Sequence, residues 1–136
     1  MSVDAATQAA IKEQQLSGCP SEKKIAIVIT GNHIDQATKA TFYTFQAFKQ
    51  TGDNTLTADS SYRYSQLLSF NEELIKNYGN IRLLRVFPGK KWVGNTDADF
   101  VSQRQDQIQK WATELVLDEE LCEEPLVLKF FKIPEE

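Results

Sequence analysis

Apolar residues recur along this chain in two periods, and the first belongs to strands. Residues 25–29 read Ile-Ala-Ile-Val-Ile, apolar throughout, and residues 42–48 are aromatic-rich, with Phe42, Tyr43, Phe45 and Phe48. A polar turn around 32–38 separates them. Thr51-Gly52-Asp53-Asn54 has the composition of a hairpin loop. The next segment alternates, with Leu56, Ala58, Tyr62 and Tyr64 on one face and Thr57, Asp59, Ser61 and Arg63 on the other. The pattern predicts a three-stranded antiparallel meander.

The period then becomes helical. Leu67, Phe70, Leu74, Ile75 and Tyr78 fall on one side of a helix that Ser65 caps and Gly79 ends. A long connection over 80–94 contains Pro88-Gly89 and then Lys90-Lys91-Trp92-Val93, and a connection of that length tends to carry function. A second helix is predicted over 96–117. In it Phe100, Ile108, Trp111 and Leu115 share about 80° of arc, and Arg104 lies inside the same arc. Short helical material around Leu121 and over 126–131 closes the chain. Strands followed by helices give an α+β domain, a β-meander packed against a helical subdomain.

Residues 1–24 are poor in large apolar side chains and end in Gly18-Cys19-Pro20, which stops any helix formed over 4–16. Ile11 and Leu16 make a thin stripe, so this segment reads as a flexible leader outside a domain spanning 25–133, with 134–136 as a tail. The leader, or flanking domains, would be the place for protein partners.

With 136 residues, 41% of them hydrophobic, the chain can bury one core. No stretch approaches the roughly 18 apolar residues of a membrane span, and no signal-peptide pattern opens the chain, so a cytoplasmic protein is expected. Its net charge of −4 argues against a nucleic-acid partner. The charge is unevenly spread, however. Between Leu74 and Thr96 the charged residues are Lys76, Arg82, Arg85, Lys90 and Lys91, all basic, while the end of the chain is acidic. Cys19 and Cys122 form no CxxC and no metal-ligand spacing, and read as free thiols. The single histidine, His33, sits in the predicted turn, and neither a phosphate loop nor a metal cluster is encoded, so no catalysis and no cofactor are expected.

Arg104 is the sharpest clue, because a cation on a core-facing position must be paired, solvated through a cleft or aimed at a ligand. Arg63-Tyr64 at a strand end offers a guanidinium fork for a phosphate beside an aromatic face. Arg63-Tyr64-Ser65, Pro88-Gly89-Lys90 with Gly94, and Phe100-Val101-Ser102-Gln103-Arg104-Gln105 stand in this order on the predicted elements. In these motifs residues 24–133 resemble the phox-homology (PX) domain, a phosphoinositide-binding module. Lys91-Trp92, Arg104-Gln105 and Phe130-Phe131-Lys132 are similar to the PX domains of NADPH-oxidase organisers, polarity scaffolds and sorting nexins.

The resemblance implies that Arg63 grips a 3-phosphate, Tyr64 forms the floor under the inositol ring, Lys90 neutralises the 1-phosphate and Arg104 reaches the inositol hydroxyls or further phosphates. It implies that Trp92 and Val93, with Ile34 from the first turn, dip into the bilayer. Arg82, with Lys91, stands where some relatives build a second anion site. Two departures are visible: Tyr62 replaces a basic residue that often precedes the pocket arginine, and Arg85 replaces the first proline of a PxxP stretch, which argues against SH3 docking. The implied function is recruitment to membranes, with phosphatidylinositol 3-phosphate on endosomes as the target. The alternatives are phosphatidylinositol 3,4-bisphosphate, phosphatidylinositol 4-phosphate, or a protein-interaction scaffold with a vestigial pocket.

Overall fold

The computed structural model describes residues 3–20, 22, 24–79, 86–89 and 98–134. Helix α1 (Ala5–Gly18) is followed by strands β1 (Lys24–Ile34), β2 (Thr41–Thr51) and β3 (Asn54–Arg63), and then by helices α2 (Tyr64–Tyr78), α3 (Ala98–Leu117) and α4 (Pro125–Phe130). The strands form an antiparallel sheet in the order β1-β2-β3. The predicted meander and the α+β class are therefore both present. β1 and β2 run longer than the apolar patterns, so Asn32 to Ile34 pair in the sheet and the turn narrows to the residues after them.

The β2–β3 hairpin closes at Thr51↔Asn54, with Gly52 at φ 60, a left-handed conformation that glycine adopts without a Cβ clash. Beyond it the start of β3 overshoots the core, leaving Leu56 45% exposed despite its place in the alternation. α2 begins two residues earlier than it would with Ser65 as its cap. Arg63 takes the cap position with extended backbone, and the Gln66 Oε1 accepts its N–H at 3.0 Å. Gly79 ends the helix at φ 62, as predicted.

The inner face of the sheet carries Ile25, Ile27, Ile29, Tyr43, Phe45 and Ala47 against Leu67, Phe70, Leu74, Ile108, Trp111 and Leu115 of the helices. Trp111 donates its indole N–H to Asn71 Oδ1 at 2.8 Å, satisfying a polar atom that the core would otherwise strand. The closing aromatic pair is built into the same core. Phe130 stacks on Phe70 (centroids 3.9 Å apart) and on Tyr62 (4.0 Å), and the Tyr62 hydroxyl donates to the Phe130 carbonyl.

Of the leader expected at residues 1–24, the described stretch 3–20 packs against the sheet. Asp4 caps α1 through the Thr7 N–H at 2.8 Å, and the helix packs against β1 at the edge of the sheet, with Lys12 Nζ 4.3 Å from the ring centroid of Phe48 on the outer face. Phe48 pairs with Ala26, so α1 covers the second face of β1 and explains why Ile25 to Ile29 are all buried instead of alternating. Gln15, fully buried, donates Nε2 to the Ile27 carbonyl at 2.9 Å and accepts the Ile27 N–H on Oε1 at 2.6 Å. Gln109 from α3 accepts the Ile29 N–H at 2.7 Å and also donates to the Ile27 carbonyl at 3.0 Å. At a register irregularity beside Thr30, the Val3 N–H reaches the Thr30 carbonyl at 2.9 Å. Two glutamines and a segment of extended chain thus take the place of a fourth strand along the β1 edge, leaving few bare groups there for another chain to pair with. Pro134 is tied as well, since buried Lys49 donates to its carbonyl at 2.6 Å.

Candidate functional site

β3 ends where the site begins. Arg63 lies opposite Phe42, which lies opposite His33, so the three form one cross-strand row. The His33 and Phe42 rings stack with centroids 5.8 Å apart. Ile34, the next residue of β1, is 51% exposed and so stands at the same end of the sheet as Arg63. The Arg63 side chain is half-buried and makes no hydrogen bond or ion pair with another described residue beyond the cap on its own N–H.

Tyr64 opens α2 and turns inward. Its hydroxyl donates to the Pro88 carbonyl at 2.7 Å, and its ring stacks on Phe87 with centroids 5.6 Å apart. Burial raises its pKa, and the Arg104 cation opposes that shift. The ring thereby holds Phe87 and Pro88 at the end of the sheet.

Arg104 comes from α3 and is only 7% exposed, confirming the inward position read from the helical arc. Its guanidinium carbon lies 3.8 Å from the Tyr64 ring centroid and 4.4 Å from that of Phe100, one turn earlier on α3. An Nη donates to the Gly89 carbonyl at 3.2 Å, whereas Nε is buried with no partner. Burial lowers its pKa, and the nearby Tyr43 and Tyr64 hydroxyls oppose the effect. Among the described residues no carboxylate pairs with it. The side chain is held by two rings and one carbonyl, with its Nε donor left over.

Tyr64 and Arg104 are therefore in contact, and both grip the Pro88-Gly89 pair. Arg63 precedes Tyr64 in the chain, and among the described residues its side chain makes no hydrogen bond or ring contact with either. Lys90, Lys91, Trp92, Val93 and Arg82 lie outside the described residues. The part played by Phe100, Phe87 and the two loop carbonyls was not anticipated. The Phe100–Arg104 spacing of four residues was a usable signal, whereas carbonyl acceptors leave no mark in a sequence. The Tyr62 position also gains a reason: its side chain points to the core face and stacks on Phe130, so it holds the C-terminus instead of lining the site.

Solved structures share this fold. A designed CISK PX domain superposes with a TM-score of 0.62 at 21% identity, covering 78% of this chain and 97% of that one. The mouse SNX19 PX domain, solved with a bound sulphate ion, gives 0.62 at 18% identity, covering 81% of this chain and 97% of its own. The same mouse domain solved separately gives 0.61. A search of curated protein sequences finds no match. The sequence profile of the PX domain family matches residues 52–134, more than half of the chain, and those residues carry Arg63, Tyr64 and Arg104. PX domains are phosphoinositide-binding modules that bring proteins to membranes, and this chain belongs to the PX domain family.

Proposed function

We propose that this domain recognises a 3-phosphorylated inositol lipid, phosphatidylinositol 3-phosphate in the first instance, and carries its protein to endosomal membranes. The observation that carries the reading is Arg104: a buried guanidinium stacked on Tyr64, unmatched by any described carboxylate, with its Nε unpartnered. Binding a headgroup would supply the missing acceptor. Arg63, with a guanidinium that no other described side chain occupies, takes the 3-phosphate by charge-assisted bonds, and Arg104 takes the inositol hydroxyls from the side of the Tyr64 ring. Lys90, which follows the clamped Gly89 in sequence, neutralises the 1-phosphate. The sulphate on the mouse SNX19 domain fits a fold that holds anions.

Ile34 at the Arg63 end of the sheet, with Trp92 and Val93, is the membrane-inserting set, and Arg82 with Lys91 forms a second anion site for the leaflet. Each basic residue near an anionic surface adds about 1 kcal/mol. The experiment is co-sedimentation with liposomes carrying each mono- and bis-phosphorylated phosphoinositide at fixed salt, with Arg63→Gln beside the wild type. Selective binding to 3-phosphorylated lipids, lost in the variant by about 2 kcal/mol or roughly 30-fold, supports the reading. Preference for phosphatidylinositol 4-phosphate or 3,4-bisphosphate would move the ligand within the class. Binding indifferent to Arg63 would overturn it in favour of a scaffold that binds proteins.

A further inference from the structure

At the hairpin end of the sheet, α1 and the three strands enclose a half-open groove of about 310 Å³. Lys24 pairs with Gln50, and Gln50 with Thr55, so each strand gives one residue to a cross-strand row along it. Gln50 lies two residues beyond Phe48 and therefore shares its outer face. Lys12, Glu13, Leu16 and Ser17 of α1 line the other side. Each cation is positioned by a neutral group. Lys12 Nζ lies 4.3 Å from the Phe48 ring centroid, and Lys24 Nζ donates to the Cys19 carbonyl at 2.9 Å, which leaves it two further N–H donors. Among the described residues no carboxylate pairs with either lysine. Glu13, exposed on the same helix, is the one acid in the lining, and Leu16 the one large apolar side chain.

We propose that this groove docks an acidic peptide segment of a partner protein, with two carboxylates spaced along the segment on Lys12 and Lys24 and an apolar side chain between them on Leu16. Charge selects an anion, because two ammonium groups outweigh one carboxylate in the lining although the whole chain carries −4. The placing of the charges selects a peptide. A phosphate dianion gathers its charge at one point, where Glu13 opposes it, whereas carboxylates on an extended segment reach the two lysines separately. Shape points the same way. Sites for small molecules bury about 70–90% of the ligand, which a half-open groove does not, while a peptide inserts its side chains and leaves its backbone in water. A bilayer lipid is the wrong occupant on position alone. Arg63 lies eight residues beyond Thr55 on β3, about 26 Å at roughly 3.3 Å per residue. A domain seated on a membrane through Arg63 therefore holds the groove clear of the bilayer, and both sites work at once.

The test is an amide NMR titration of the full chain with an end-blocked octapeptide of Ser and Glu that carries one Leu between two Glu residues. The same peptide with Gln for Glu, and inorganic phosphate, are titrated beside it. The expected result is saturable shifts at Lys12, Glu13, Leu16, Ser17, Lys24, Gln50 and Thr55, with Arg63 and Arg104 unmoved. The double variant Lys12→Gln, Lys24→Gln should bind the acidic peptide about fivefold to tenfold more weakly, and Glu13→Gln about twofold to threefold more tightly. Liposome binding through Arg63 should stay within about twofold in these variants, so failure of the groove and failure of the lipid reading are told apart. Absence of saturable shifts, shifts centred on Arg63 and Arg104, or equal binding of the Gln peptide would overturn the proposal. So would phosphate binding as tightly as the acidic peptide, or looser binding by Glu13→Gln. The shift map of the wild-type chain decides the matter even if a lysine variant folds poorly.

Discussion

Replacing Gln15 with alanine tests whether α1 is an integral part of the domain. The side chain is fully buried and makes three hydrogen bonds: from Nε2 to the Ile27 carbonyl (2.9 Å) and to Thr113 Oγ1 (2.8 Å), and to Oε1 from the Ile27 N–H (2.6 Å). In the variant the Ile27 carbonyl keeps Gln109 Nε2 as a donor, so it stays satisfied. The Ile27 N–H keeps nothing, and a buried donor left alone costs about 1–3 kcal/mol. The space vacated by the amide adds about 1 kcal/mol. The sum is about 2–4 kcal/mol, and at roughly 3 °C per kcal/mol for a chain of this size the melting temperature should fall by about 6–12 °C. Gln14→Ala, on the exposed neighbouring position, is the control and should stay within about 0.5 kcal/mol of the parent. Urea unfolding measures the free energies, and amide exchange at Ile27 locates the damage. A Gln15→Ala chain as stable as the control, with an unchanged Ile27 exchange rate, would refute the clasp and return residues 1–24 to the status of a leader.

Arg104→Lys keeps the charge but loses the planar fork held between Tyr64 and Phe100, and should weaken binding of a soluble inositol 3-phosphate headgroup by about tenfold. Calorimetric titration checks this, and parent-like affinity would show that the fork is not used. Trp92→Ala should weaken attachment to liposomes while sparing the soluble headgroup, and equal loss on both would make Trp92 part of the pocket. The Asp4 carboxyl is held below its ordinary 3.8 by hydrogen bonds from Thr7. Its capping contribution is present above that value and lost as pH falls through the depressed one. The first turn of α1 should therefore fray below about pH 4, seen as loss of amide protection at Thr7, and Asp4→Asn should flatten that dependence.

The sheet was legible in the sequence because its strands carry their own instructions: a solid apolar run, an aromatic run, and a Gly-Asp turn between alternating residues. Arg104 was legible because the arc shared with Ile108, Trp111 and Leu115 fixes its direction whatever the surroundings. α1 was missed for a physical reason. Four of its residues are alanine, and what holds it is a buried glutamine, a lysine over a phenylalanine ring and a glycine in close contact, none of which adds to an apolar stripe. Helix stability drawn from side-chain to main-chain bonds is invisible to periodicity, since only the fold shows which strand edge stands opposite. The same holds for Ser65, a good cap by composition, which lost the position when Gln66 supplied the acceptor from inside the helix.

The length of α3 has a consequence of its own. Arg104 lies near the start of that helix, and Asp118, just past its end, is about 21 Å further along at 1.5 Å per residue, with Glu119, Glu120, Glu123 and Glu124 following it in the chain. That span exceeds twice the screening length of about 8 Å at physiological salt. A domain seated with Arg104 toward an anionic surface therefore leaves its acidic pole beyond the reach of that surface's field, while one arriving the other way round meets repulsion at contact. The helix acts as a compass needle, and salt strong enough to erase the field should slow correct landing more than it loosens a domain already bound.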